Sequence, residues 1–152
     1  MVIVRYLTPI PESDSGDSSS STKSATATPV NQCEVTNKVI IYFDGGSSSI
    51  DKNDEKKIRD LARLIKNCSF TKIVLTGYTS IDKPDSPSYA LFRKNLSNKR
   101  ANAVENVLLE KLGKSAKGIK FKSYAKSNAK PIKSNRTEKT RSANRRVEIV
   151  IN

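Results

Sequence analysis

The feature that most constrains the fold is an alternation of short, β-branched apolar runs with segments of helical periodicity. Residues 39–43 (VIIYF) form such a run, which is typical of a buried strand. Asp51 then predicts a helix N-cap. The apolar residues that follow have the i, i+3, i+4, i+7 spacing of one buried helix face: Ile58, Leu61, Ala62 and Ile65. Strands that alternate with helices favour crossover connections and a sheet with helices packed on it.

The same pattern continues to the end of the chain. Residues 72–76 (KIVLT), 119–124 (IKFKSY) and 147–151 (VEIVI) predict three more strands. A second helix is predicted from an N-cap near Ser97 to a stop at Gly113. Its buried face is predicted to consist of Ala101, Val104, Leu108 and Leu112. The order is β-α-β-α-β-β, and the predicted fold is an α/β (α+β) two-layer sandwich with a mixed four-stranded sheet and helices packed on it.

The N-terminal segment differs in composition from the rest of the chain. Residues 8–30 are dominated by Ser, Thr and Pro and offer almost nothing that could join a core. Because burial cannot offset the ordering entropy of such a segment, we predict that residues 1–30 form a flexible linker or a frayed tail. Residues 31–152 are then a single domain. No stretch approaches the ~20 apolar residues of a membrane helix, and the start lacks the basic lead-in of a signal peptide.

The charge balance is strongly positive. Twenty-eight Lys and Arg residues against fifteen Asp and Glu give a formal net charge of +13. Such a surface attracts polyanions, although it can also serve solubility alone.

Histidine is absent, which removes the commonest general base and metal ligand. Two cysteines, Cys33 and Cys68, are too few for a zinc site; they suit one disulfide in an exported chain and two reduced, buried thiols otherwise. We expect no metal and no cofactor.

Specific motifs lead beyond the fold class. Residues 96–104 (LSNKRANAV) resemble the Leu-Ser-x-x-Arg-Ala-x-x-Val signature of the outer membrane protein A-like (OmpA-like) peptidoglycan-binding domain. Residues 144–148 (NRRVE) resemble the closing motif of that family, and residues 77–79 (GYT) fall where it has Gly-His-Thr-Asp. These motifs, together with the first strand, follow the order of the family. The resemblance implies a domain that binds the stem peptide of peptidoglycan without cleaving it.

The resemblance also implies a mode of ligand binding. In the family, the aspartate of Gly-His-Thr-Asp holds the amino group of a diamino acid, and the arginine of Leu-Ser-x-x-Arg-Ala holds its carboxylate. Arg100 matches that arginine, and a guanidinium can make paired hydrogen bonds to a carboxylate. We expect Arg100 in the first turn of the second helix, where free N–H groups would assist anion binding. The alternative is a helix-surface arginine that pairs with Glu105 or Glu138.

The sequence departs from the family at the proposed site. Ser80 stands at the aspartate position, Tyr78 replaces the histidine, and Arg93 replaces a frequent asparagine. Losing the carboxylate removes a charge-assisted hydrogen bond worth ~1.5–3 kcal/mol, and Asp82 or Asp85 is a candidate substitute. Arg145 and Arg146 are predicted to be mainly structural, with one of them reaching the peptide. The predicted ligand-binding residues are Tyr78, Thr79, Ser80, Asp82, Asp85, Arg93, Arg100 and Arg145.

The cysteines match a feature of some Gram-positive members of the family. Those members carry one cysteine just before the first strand and another after the first helix, and the two are bridged. Cys33 and Cys68 occupy these places, so the resemblance implies a disulfide. Closing a loop of about 36 residues is worth roughly 4 kcal/mol on the chain-entropy model.

We therefore predict a non-catalytic, monomeric module that anchors an envelope protein to peptidoglycan. It is expected to be extracytoplasmic and tethered to a membrane through a segment outside this chain. The alternative is a basic module, centred on residues 114–139, that binds another anionic wall polymer or a protein partner and has a degenerate pocket. Nucleic acid is not expected, because only Phe121 and Tyr124 offer stacking there and no RNA-binding motif is present. Catalysis is not expected, because a nucleophile–base pair is lacking.

Overall fold

Four strands form one mixed sheet in the computed structural model, which describes Cys33 and residues 38–152. The predicted linker, residues 1–30, lies outside the described residues. The strands are β1 (Lys38–Tyr42), β2 (Lys72–Tyr78), β3 (Lys120–Ser127) and β4 (Arg146–Ile151). The helices are α1 (Lys52–Asn67), α2 (Pro87–Leu112) and α3 (Glu138–Asn144), and a short 3-10 helix (Gly113–Ala116) follows α2.

The strand order is β1-β4-β2-β3. The last strand, β4, is antiparallel to both β1 and β2, whereas β2 and β3 are parallel. Parallel neighbours cannot be joined by a tight turn, and α2 supplies the crossover between β2 and β3. The predicted fold class, element order and mixed four-stranded sheet are confirmed.

The core lies between one face of the sheet and helices α1 and α2. Alternate residues of the strands point into it, including Ile41, Ile73, Leu75, Val147 and Ile149. From α1 it receives the predicted Ile58, Leu61, Ala62 and Ile65, and from α2 it receives Val104, Leu108 and Leu112. Asp51 is confirmed as the N-cap of α1, because its side chain accepts a hydrogen bond from the backbone N–H of Asp54 at 2.7 Å.

The predicted start of the second helix is wrong. Helix α2 begins at Pro87, with Ser86 as the N-cap. The prolines before Ser97 suggested a loop, but proline fits the first helical turn because the N–H group it lacks has no partner there. Ser97 lies inside the helix and is buried; its hydroxyl donates to the carbonyl of Lys94 and accepts from the N–H of Ser127.

The segment between β3 and β4, for which the sequence predicted no element, contains the short helix α3. Thr137 and Thr140 form a reciprocal capping box at its start, in which each side chain accepts a hydrogen bond from the backbone N–H of the other. The helix has only seven residues, and Asn144 is its one buried residue. A helix this short has too little apolar periodicity to be predicted from the sequence.

A glycine allows α2 to approach the sheet closely. Strand β2 continues through Gly77 to Tyr78. A Cβ atom added to Gly77 would lie 2.0 Å from the backbone oxygen of Ser97 and 2.8 Å from its carbonyl carbon. The backbone of α2 therefore lies directly on this strand, and only glycine leaves enough space for it.

The predicted disulfide between Cys33 and Cys68 is confirmed. The two Cα atoms are 5.6 Å apart, within the usual range for a bridge. Cys68 is the C-cap of α1. The bond therefore ties the end of α1 to the chain that precedes β1.

We expect Gly77→Ala to lower the free energy of unfolding by about 3 kcal/mol, the cost of overpacking a tightly packed interior. Urea denaturation measures this change. Gly45→Ala is the matched control, since a Cβ there meets nothing within 4 Å. Equal stability of both variants would contradict the close packing of α2 on β2.

We expect the double variant Cys33→Ser/Cys68→Ser to lose about 4 kcal/mol of stability, because the unfolded chain regains the entropy of an open loop. Reductant should produce the same loss in the unmodified protein and no further loss in the double variant. Denaturant unfolding with and without reductant checks both results. A reductant effect on the double variant would show that the loss does not come from this bond.

Candidate functional site

The site is built around Arg100, which joins three parts of the chain. Its Nε donates to the carbonyl of Ser47 at 2.7 Å, and its Nη2 donates to the carbonyl of Asp44 at 2.9 Å. Its Nη1 donates to the carbonyl of Tyr78 at 3.1 Å. The guanidinium of this fully buried residue thus connects the loop after β1 and the end of β2 to the middle of α2.

Two expectations about Arg100 are wrong. It lies in the interior of α2 and not in its first turn, so the free N–H groups of the helix start are not beside it. It is also not a surface residue paired with Glu105 or Glu138. Glu105 accepts a hydrogen bond from the hydroxyl of Ser123, and Glu138 bonds Arg145. The first difference arises because α2 begins further upstream than the sequence pattern indicated, and the second because Arg100 lies on the buried face of the helix.

Arg100 retains hydrogen-bonding capacity. A guanidinium has five N–H donors, and the three bonds to carbonyls leave one N–H on Nη1 and one on Nη2. Among the described residues, none of the ion pairs involves Arg100. Burial lowers its pKa to about 10; the charge of Arg145 lowers the pKa further and that of Asp82 opposes the shift. At neutral pH the side chain is therefore a buried cation that makes no direct ion pair with a described residue.

A cleft of about 300 Å³ lies beside Arg100. It opens between the loop after β2 and the N-terminal half of α2. Six predicted site residues line it: Thr79, Ser80, Asp82, Arg93, Arg100 and Arg145. Lys83, Tyr89 and Phe92 also line it and were not predicted. Tyr89 and Phe92 belong to the part of α2 for which the sequence pattern predicts a loop, so the sequence analysis does not place them in the site.

A carboxylate stands next to Ser80. The hydroxyl of Ser80 donates to Oδ1 of Asp82 at 2.6 Å, and the same oxygen lies 3.3 Å from Nε of Arg141. Two further hydrogen bonds fix the loop after β2. The backbone N–H of Asp82 donates to the hydroxyl of Tyr89 at 2.9 Å, and that of Ile81 donates to the side chain of Asn135 at 3.1 Å. An acidic group is thus held two residues beyond the position where the family has its aspartate.

Asp85, the other candidate substitute for the family aspartate, lies outside the cleft. It is two-thirds exposed and is not among the residues that line the cleft. Its carboxylate accepts a hydrogen bond from Nη2 of Arg93 at 2.9 Å. Arg93 is buried, and its guanidinium lies 4.6 Å from the ring centroid of Tyr89.

Asn144 and Arg145 hold the segment between β3 and β4 in place. The side-chain oxygen of Asn144 accepts from the N–H groups of Ile132 and Lys133 at 2.8 and 3.0 Å. Arg145 donates from Nε to the carbonyl of Phe43 at 3.0 Å and pairs with Glu138 through Nη2. Hydrogen bonding by Arg145 lowers the pKa of Glu138. Arg145 therefore combines bonds within the fold with a position on the wall of the cleft.

The side chain of Tyr78 is not among the residues that line the cleft. Its ring lies 3.9 Å from the guanidinium of Arg146, which donates to Glu148 at 2.9 Å. Burial raises the pKa of Tyr78, the negative charge of Glu148 adds to this, and Arg146 opposes it. Only the backbone carbonyl of Tyr78 faces Arg100.

Two absences hold for the part of the chain that the structure describes. It has no group of three His, Cys, Asp or Glu side chains placed to hold a metal ion. Among its helices, none is both long and apolar enough to cross a membrane.

Comparison with known proteins identifies relatives that share this domain. Outer membrane porin F of Pseudomonas aeruginosa is 32% identical over 108 residues, which is 71% of this chain and 29% of the porin. The peptidoglycan-associated lipoprotein of Buchnera aphidicola is 32% identical over 110 residues, 72% of this chain and 59% of the lipoprotein. The C-terminal domain of Helicobacter pylori MotB has a TM-score of 0.59 at 26% identity, with 75% of this chain and 84% of that domain covered.

The chain spans less than two thirds of the length of either the porin or the lipoprotein, so both relatives extend beyond the shared domain. The family model of OmpA matches residues 42–145, from the end of β1 to the residue before β4. This range contains α1, α2 and every described residue that lines the cleft. The chain belongs to the OmpA family.

Proposed function

We propose that this domain anchors an envelope protein to the cell wall by holding the stem peptide of peptidoglycan, without cleaving it. The observation that carries the proposal is a fully buried cation, Arg100, on the wall of a cleft that also contains the carboxylate of Asp82. Both groups line the same cleft, and the charge of Asp82 opposes the lowering of the Arg100 pKa. One cation and one anion in a single cleft suit the zwitterionic end of a diamino acid.

The proposed binding mode assigns a role to each group. The two N–H groups left on Arg100 receive the ligand carboxylate. Because three hydrogen bonds already fix the guanidinium, binding immobilises no additional long side chain, and the entropic cost is small. Asp82, positioned by the hydroxyl of Ser80, receives the ligand ammonium. Asp82 thus takes the role that the family gives to the residue at position 80.

Two further observations and one physical argument support an anchoring role in the envelope. The Buchnera relative is named as a peptidoglycan-associated lipoprotein. The Cys33–Cys68 disulfide suits an oxidising compartment outside the cytoplasm. A non-catalytic pocket of modest affinity is sufficient for this role, because a flexible tether raises the effective concentration of the wall around the domain.

Arg100 is a poor residue for testing this proposal. Replacing it with alanine would leave the carbonyls of Asp44, Ser47 and Tyr78 without their donor. Each buried group left unpaired costs about 1–3 kcal/mol, so loss of binding would be confounded with loss of folding. Asp82 is partly exposed and bonds only side chains through its carboxylate, which makes it the better target.

We expect Asp82→Asn to weaken binding of a defined stem peptide about tenfold to a hundredfold, because a charge-assisted hydrogen bond to the ligand ammonium is lost. Isothermal titration calorimetry measures the affinity, and a thermal melt verifies folding. Glu110→Gln is the matched control: it removes the same charge from a side chain that is 72% exposed and not among those that line the cleft.

Equal affinities of the unmodified protein and Asp82→Asn would remove Asp82 from the site. If the unmodified protein fails to bind the stem peptide at millimolar concentrations, the wall-ligand proposal itself is wrong.

The surface around β3 favours a second candidate function, binding of an anionic wall polymer. Residues 114–139 expose nine cationic side chains: Lys114, Lys117, Lys120, Lys122, Lys126, Lys130, Lys133, Arg136 and Lys139. Three of them alternate along β3 with the exposed Tyr124, on the sheet face opposite the core. Since β3 is an edge strand, this row of lysines is accessible along its length.

We expect the affinity of the unmodified protein for poly(glycerol phosphate) to decrease steeply as the salt concentration rises. The triple variant Lys120→Glu/Lys122→Glu/Lys126→Glu should not bind this polymer. Lys52→Glu/Lys56→Glu/Lys66→Glu on α1 is the control with the same change of charge. A salt titration by fluorescence anisotropy measures both. Similar losses in the two triple variants would show a response to net charge and not a polymer site on β3.

A further inference from the structure

The most unusual group in the cleft is the guanidinium of Arg93. The residue is only 3% exposed. Its Nη2 bonds Asp85, but Nε and Nη1 are buried and have no hydrogen-bond partner among the described residues. Buried N–H donors are nearly always paired because an unpaired one is costly. Arg93 is thus a buried charged group with unpaired donors on the wall of the cleft. This combination indicates that a bound ligand supplies the missing hydrogen-bond partner.

The single partner of Arg93 within the fold is weak. Asp85 is 68% exposed and uses one oxygen on one nitrogen of the guanidinium. Because the Asp85 carboxylate is largely in contact with solvent, water replaces its contact to Arg93 when a competing carboxylate binds. A carboxylate that used the unpaired nitrogens would make the paired, planar contact for which arginine is suited.

The charges around the cleft point to the same kind of partner. Its walls carry four cations, Lys83, Arg93, Arg100 and Arg145, but only one carboxylate, that of Asp82. The nearest partners, Arg141, Asp85 and Glu138, leave an excess of positive charge. A zwitterion needs one cation and one anion, and Arg100 and Asp82 already provide them. The remaining cations suit a ligand with net negative charge.

We propose that Arg93 is a second carboxylate-binding position, and that the ligand is a stem peptide with a second free carboxylate outside the diamino acid. This inference rests on the proposed function and specifies its substrate class. It makes Arg93 a specificity-determining residue: peptides with that carboxylate amidated lose the contact, whereas peptides with the free carboxylate keep it.

Two aromatic rings control access to Arg93. The Tyr89 ring lies against the guanidinium, and Phe92, half exposed, stacks on Tyr89 with 6.1 Å between centroids. Both nitrogens are covered by their neighbours, so the carboxylate reaches them after the Tyr89–Phe92 pair rotates. Rings at the surface change rotamer rapidly on the time scale of binding. Rotation of the Tyr89 ring breaks the hydrogen bond that its hydroxyl accepts from the N–H of Asp82, whereas the bond from the N–H of Ile81 to Asn135 still holds the loop.

The test uses two synthetic stem tripeptides that differ only in the second carboxylate, free in one and amidated in the other. The unmodified protein should bind the free acid about tenfold to a hundredfold more tightly. Arg93→Gln should lose this preference while retaining the affinity for the amidated peptide. Arg63→Gln, a surface arginine of α1 that is 71% exposed, is the control and should keep the preference.

A direct readout separates contact from indirect effects. The Nε–H signal of Arg93, identified by its absence in Arg93→Gln, should shift in the NMR spectrum with the free acid and not with the amide. If Arg93→Gln does not fold, Arg93→Lys serves instead, because a point charge cannot make the paired contact and should reduce the preference.

The outcomes distinguish the two proposals. Equal binding of both peptides by the unmodified protein would overturn the role of Arg93 and leave the proposed function standing. A preference that persists in Arg93→Gln would also overturn it. Binding of neither peptide would reject the proposed function itself.

Discussion

The structure depends on one buried guanidinium. Arg100 donates to the carbonyls of Asp44 and Ser47, in the loop after β1, and of Tyr78, at the end of β2. Strand β4 lies between β1 and β2 in the sheet, so the guanidinium joins two segments that do not pair with each other. Because arginine has five donors in a rigid plane, three can hold the fold and two remain. The same side chain thus fixes the walls of the cleft and offers charge to whatever enters it.

Arg93 and the residues of the closing motif, Asn144, Arg145 and Arg146, divide these tasks differently. Asn144 and Arg146 bond only within the fold, one through the turn before α3 and the other through Tyr78 and Glu148. Arg145 does both, since it bonds Phe43 and also lines the cleft. Arg93 is the opposite extreme, a buried cation that contributes little to the fold. Among these side chains, Arg93 makes one hydrogen bond within the fold and leaves the most N–H donors unpaired.

The sequence predicted most of the fold because the core follows simple periodicities. Short β-branched apolar runs and alternating apolar residues identified the strands, and the spacing around Ile58 and Leu61 identified α1. The start of α2 was missed because residues near its beginning are exposed apolar or polar and follow two prolines, so neither spacing nor composition indicated a helix. That error also hid Tyr89 from the site and placed Arg100 at a helix end.

The sequence by itself determined the fold class and the order of the predicted elements, and its motifs gave the family resemblance that implied the disulfide and marked Arg100 as a candidate ligand-binding residue, because local periodicity and short motifs are properties of neighbouring residues. Only the tertiary structure decided which side chains share the cleft. It placed Asp82 beside Ser80, turned the ring of Tyr78 onto Arg146 and left Arg93 without enough partners. These outcomes depend on contacts between residues distant along the chain, where packing and hydrogen-bond geometry select one partner among several that the sequence allows.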